Sequence, residues 1–88
     1  MAKETNFHNI PKDAVQINKE AVCTLKARRT TGELIDVEVK GVITDTSLLH
    51  KEDILSFRIT EQLTQNDIIQ FPPNQITTIW FDDVTKLI

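Results

Sequence analysis

The sequence predicts a mainly β protein. The expected fold is a small five-stranded, strongly bent antiparallel barrel with one short N-terminal helix. It occupies a single domain, 10-88, behind a flexible N-terminus, 1-9. Three observations predict it. The stretch Cys23–Val39 alternates apolar and polar residues on both sides of one turn. Two later stretches, Ile54–Thr60 and Ile76–Phe81, are again rich in β-branched and aromatic residues. Finally, Gly41 interrupts a long second strand, where a residue without a side chain marks a bulge or a bend.

The hairpin is the best-determined element. Thr30, Thr31 and Gly32 form a three-residue loop, in which glycine takes the left-handed position without steric cost. Cys23 then faces Val39, Leu25 faces Val37 and Ala27 faces Ile35, giving one apolar face. Between them Thr24 faces Glu38, Lys26 faces Asp36 and Arg29 faces Glu33, so the other face sets opposite charges against each other. A slip by one residue would turn one apolar set to solvent.

The second strand continues through Gly41 to Ile43. Residues 44–53 read as a loop from which Leu48 and Leu49 are placed to tuck onto the core. The third strand, Ile54–Thr60, points Leu55, Phe57 and Ile59 inward. Residues 61–66 form a connection, and residues 67–71 form a short strand with Ile69 and Phe71 inward. Pro72 and Pro73 end it by removing two backbone donors. Ile76–Phe81 is the last strand. At the front, Ile10, Ala14, Ile17 and Ala21 follow helical spacing, and Pro11 and Asp13 suit a first turn. A helix over Pro11–Asn18 is expected, with a strand over Ala14–Ile17 as the competing reading. Five short strands with a glycine bend curl into a barrel because a flat open sheet leaves its edges unpaired.

This order of elements resembles the Sm-like, or SH3-type, small barrel. The likeness rests on "TLKARRTTGEL" as a charged hairpin, "VEVKGVITD" as a bent second strand and "IIQFPPNQITTI" as a closing pair. It spans roughly Ala21 to Phe81 as an order of elements, and it implies a barrel and a ring or dimer. For RNA binding the match is poorer. The interval from Gly32 to Gly41 is longer than is usual in Sm proteins. Asp45 can stand for the loop aspartate, but no asparagine follows before Ile59, and Pro72-Pro73-Asn74 replaces the closing arginine–glycine signature.

Bulk composition narrows the function. A chain of 88 residues hides roughly 60–65% of its unfolded surface, enough for one core but not for a deep cleft as well. The net charge of −3 disfavours a nonspecific nucleic-acid binder, which carries a basic field. A single cysteine allows no internal disulfide, no apolar run is long enough to span a membrane, and the polar start lacks a signal-peptide core. A cytoplasmic location and no membrane contact are the expectation.

Chemistry-bearing residues are sparse. His8 and His50 fall in loops with no metal-ligand spacing, so neither a metal nor any other cofactor is expected. Cys23 lies on the apolar face of the hairpin, where a cysteine behaves as a small hydrophobe. Asp82, Asp83, Glu52 and Asp53 read as solvated strand ends and loops. No nucleophile–base order or glycine-rich phosphate cradle occurs, so no enzyme is expected.

Trp80 and Phe81 are strand neighbours, so one large aromatic faces outward. Together with Val84, Leu87 and Ile88 it would form an apolar patch of the kind that marks partner contacts. The competing reading folds the C-terminal tail over it. The leading expectation is therefore a non-catalytic module that binds another protein, or itself, through this edge. The alternative is an Sm-like RNA binder using Lys26, Arg28, Arg29 and Arg58. The opposed acids argue instead for a self-neutralised, solvated face.

Overall fold

A computed structural model describes residues 10–64, 71, 72 and 74–88. Five antiparallel strands form one sheet: β1 (Glu20–Arg28), β2 (Leu34–Asp45), β3 (Ile54–Gln62), β4 (Ile76–Trp80) and β5 (Val84–Leu87). The strand order is β4-β3-β2-β1-β5.

The hairpin register is the expected one, with Cys23 opposite Val39, Leu25 opposite Val37, Lys26 opposite Asp36 and Ala27 opposite Ile35. Gly32 has φ 98° and donates its N–H to the Arg29 carbonyl at 2.8 Å, while the Arg29 N–H donates to the Glu33 carbonyl at 2.7 Å. The turn therefore has the glycine-dependent geometry read from its sequence.

Gly41 lies where the β2–β3 register shifts, between Lys40 and Gly41. A second shift falls between Ile43 and Asp45. These irregularities bend β2, and a topological fact sets how far the sheet must roll. β4 and β5 are opposite edges, yet only the 3₁₀ turn Phe81–Asp83 joins them. Trp80 to Val84 is four residue steps, which reach about 15 Å at most. Four inter-strand gaps in a flat sheet would need about 19 Å. Val84 aligns through Cys23 with Val39, whereas Trp80 pairs with Ile54, beyond the Asp45–Ser56 pair. The ends are therefore also offset along the strands, and only a strongly curled sheet lets so short a turn bridge them. The sheet is nonetheless open, because among the described residues no ladder joins β4 to β5.

The concave face buries Ala21, Cys23, Val37, Val39, Ile43, Leu55, Phe57, Ile59, Ile79, Phe81 and Val84. Leu49 also packs there, from a single helical turn, α1 (Leu49–Glu52), inside the segment expected to be a loop. Its neighbour Leu48 stays exposed.

Five expectations need correction or restatement. The N-terminal helix is only a 3₁₀ turn, Lys12–Ala14. Pro11 offers no side-chain cap bond, Val15 returns to extended backbone, and Asn18 adopts φ 75°. The segment is held instead by burying Val15 and by the Asn18 N–H donating to the Ile43 carbonyl at 2.7 Å. The C-terminal tail forms β5, a strand too short and too mixed in character to announce itself. Ile76–Trp80 ends one residue early, since Phe81 enters the 3₁₀ turn. The expected strand at 67–71 lies outside the described residues except for Phe71, which packs partly buried against the core and donates its N–H to the Gln62 side chain. The N-terminus at 1-9 also lies outside them.

Two clasps tie the periphery to the sheet. Lys12 bonds Asp53 and sits over the Phe81 ring, 5.6 Å from its centroid. The Phe81 N–H donates to the Asp53 carbonyl at 2.7 Å. These contacts link the front turn, the β2–β3 connection and the turn before β5.

Candidate binding groove

Strand alternation sends Trp80 and Phe81 to opposite sides. Phe81 is 4% exposed and belongs to the core, while Trp80 is 56% exposed. Trp80 forms one wall of an open groove of about 450 Å³. Thr24, Leu25 and Lys26 of β1, Asp36 of β2 and Asp83 of the 3₁₀ turn complete the lining.

The backbone of β1 gives this groove its character. The Arg29 N–H bonds Glu33 across the hairpin, so residues 27, 25 and 23 also aim their backbone groups at β2. Residues 20, 22, 24, 26 and 28 aim theirs the other way. At the start of β1 these groups meet β5: the Ile88 N–H donates to the Glu20 carbonyl, and the Thr85 hydroxyl donates to the Val22 carbonyl. β5 begins at Val84, opposite Cys23. Beyond Cys23 that side of β1 has no strand partner among the described residues, so the N–H and C=O of Lys26 and Arg28 face an open edge. An exposed indole beside an open strand edge suits an extended polypeptide, whose main chain can pair while one side chain packs on the ring.

The groove carries both signs of charge. Lys26 and Asp36 form an ion pair at 2.6 Å across the hairpin. Burial, and to a lesser degree the nearby Asp83 carboxylate, pushes the Cys23 thiol up to about 12. Cys23 is accordingly a buried core thiol held in its neutral form.

The remaining sequence candidates separate. Val84 is fully buried, Leu87 is partly buried against the core, and Ile88 is exposed at the far end of β5, beside Glu20. From Glu20 to Thr24 is four residues, roughly 13 Å along β1, so Ile88 and Trp80 do not make one patch. The cations are also divided. Arg28 bonds the Gly32 carbonyl, and the Arg29 side chain lies 3.9 Å from Glu33. Arg58 bonds the Asn74 side chain and aligns with Val42, eight residues along β2 from the Leu34 that faces Arg28. That separation is roughly 25 Å along the strand. His50 lies 3.9 Å from Asp13, and no cluster of three metal-ligating side chains occurs among the described residues. A second hollow, lined by Leu48, Ile54 and Thr78 among others, holds about 50 Å³, too little for more than a few waters.

Sequence reasoning found Trp80 and missed Thr24, Leu25, Asp36 and Asp83 as its neighbours. Nothing local signals that proximity; it follows from the curl that brings the end of β4 beside β1. No helix among the described residues is long and apolar enough to cross a membrane. Comparison with protein-family models, curated proteins and solved structures gave no match.

Proposed function

We propose that this protein is a non-catalytic binding module that holds an extended segment of another protein in the Trp80 groove. In this reading the curled sheet is a small barrel of the SH3 or Sm-like type, left unclosed where β1 runs past the start of β5. The incoming segment adds main-chain hydrogen bonds at Lys26 and Arg28 and packs a side chain against Trp80. The observation that carries the proposal is a half-exposed tryptophan facing, across a groove of about 450 Å³, a stretch of β1 that has no strand partner among the described residues. The RNA-binding alternative receives no comparable support, since its four cations are split along the sheet and each has a polar partner.

Trp80 is the only tryptophan in the chain, so its emission reports the groove alone. Random peptides displayed on phage and selected against the protein should shift that emission on binding. They should lose affinity for Trp80→Ala and should not compete with single-stranded RNA. Peptides that bind Trp80→Ala as well as wild type would remove the proposal.

A further inference from the structure

β1 has two flanks, and the β2 flank shows what chemistry it accepts. There Lys26 lies opposite Asp36 and Thr24 opposite Glu38 on the outer face, while Leu25 and Ala27 lie opposite Val37 and Ile35 on the inner face. The strand that matches β1 therefore alternates apolar and acidic residues, Ile35-Asp36-Val37-Glu38-Val39.

A strand added on the other flank, beyond Cys23, would meet the same side chains, because alternation keeps Lys26 and Arg28 on the outer face. Ala27 is buried and Leu25 packs partly buried against the core, so the residues opposite them must be apolar. Lys26 and Arg28 are exposed and bring two positive charges to this edge. Arg28 donates to the Gly32 carbonyl, a neutral acceptor that leaves its charge in place, and it faces Leu34 across the hairpin. Lys26 is paired with Asp36, but Asp36 lies one strand further from the added chain. A carboxylate opposite Lys26 would stand about 5 Å from the row of β1 and about 10 Å from the row of β2. The second distance is a Debye length at about 0.1 M salt, so attraction to Lys26 outweighs repulsion by Asp36. The net charge of −3 is spread over the whole surface and is screened beyond the same distance. At the Thr24 end the sign changes, because Asp83 lines the groove and precedes Val84, which aligns with Cys23.

Resting on the docking proposed above, we infer that the groove selects an acidic partner segment of defined pattern. The segment runs antiparallel to β1, as every ladder of this sheet does. It sets carboxylates opposite Arg28 and Lys26, apolar residues opposite Ala27 and Leu25, and an uncharged residue opposite Thr24. Read from its N-terminus, the core is acid, apolar, acid, apolar, neutral. Each carboxylate makes an opposite-charge cross-strand pair.

Two blocked, fluorescein-labelled peptides test this on the full chain. One carries the core glutamate–valine–glutamate–valine–threonine, and the other has lysine for both glutamates. Fluorescence anisotropy at about 20 mM salt should show the glutamate peptide binding about tenfold tighter, since two pairs change from like to opposite charge. The difference should shrink below about twofold at about 1 M salt, where the Debye length is about 3 Å. Lys26→Glu with Asp36→Lys keeps an ion pair in the hairpin and reverses its edge, and Arg28→Glu completes the reversal. This triple variant, with an unchanged circular dichroism spectrum, should prefer the lysine peptide. Peptides selected by phage display on the wild type should carry the same spaced acids. A lysine peptide that binds wild type as tightly as the glutamate peptide, a preference that survives the high salt, or a folded triple variant that still prefers glutamate overturns the inference. Trp80-dependent peptides without spaced acids overturn it and leave the groove reading standing, whereas failure to select any Trp80-dependent peptide removes both.

Discussion

The ring of Phe57 and the backbone of Gly41 touch where a β-carbon would otherwise be. A methyl group at residue 41 would lie 2.8 Å from two ring carbons and 2.2 Å from the Arg58 carbonyl oxygen. The bend in β2 and the largest fully buried side chain are thus one feature. Neither neighbour can yield: the ring is enclosed by the core, and the carbonyl is main chain. Gly41→Ala should cost about 3 kcal/mol or more, as overpacking against backbone does. Urea denaturation of the variant checks it, and a loss under about 1 kcal/mol would contradict the close packing.

Trp80 and Phe81 should separate sharply in stability. Phe81 is a core residue over which Lys12 sits, and Phe81→Ala should cost about 3–5 kcal/mol. Trp80→Ala should stay within about 1 kcal/mol, because the indole is more exposed than buried. Thermal or urea melts of both variants decide it.

Cys23 makes stability fall in alkaline solution. Its thiol ionises near 9.0 when unfolded and at about 12 when folded. Its contribution is whole below pH 9.0 and drains away between those values, since only the unfolded chain gains from ionising there. By about pH 10.5 the loss should reach about 2 kcal/mol relative to pH 8. Cys23→Ala should remove this component, whatever else it costs. An identical pH slope in both proteins would contradict it.

The Lys26–Asp36 pair spans the hairpin in the open, its side chains 69% and 62% exposed. A double-mutant cycle with Lys26→Ala and Asp36→Ala should give a coupling of about 0.2–1 kcal/mol, fading with salt. A coupling above about 2 kcal/mol would mean that the pair is shielded from water.

What could be read from the sequence was local. The β1–β2 register follows from alternation about Gly32, and the bend from Gly41, because both are properties of neighbouring residues. Leu55, Phe57 and Ile59 were legible as the inward set for the same reason. The front segment misled because Ile10, Ala14, Ile17 and Ala21 follow helical spacing by coincidence; Val15 and Ala21 are buried, while Ile17 faces solvent. β5 was illegible because its identity as a strand depends on Ala21, Val22 and Cys23, more than 60 residues away. The groove shares that dependence. Trp80 stood out as a large aromatic beside another, but its proximity to Leu25 and Asp36 arises only once the sheet rolls.

In the proposed reading, β1 beyond Cys23 is a docking edge beside Trp80. Amide hydrogen exchange by NMR, with and without a selected peptide, tests it most directly. Free of peptide, the Lys26 and Arg28 amides should exchange quickly, while those of Leu25 and Ala27, bonded to β2, exchange slowly. On binding, the Lys26 and Arg28 amides should become protected together with a shift of the Trp80 indole signal. Protection that appears elsewhere while these two amides stay fast would contradict the account.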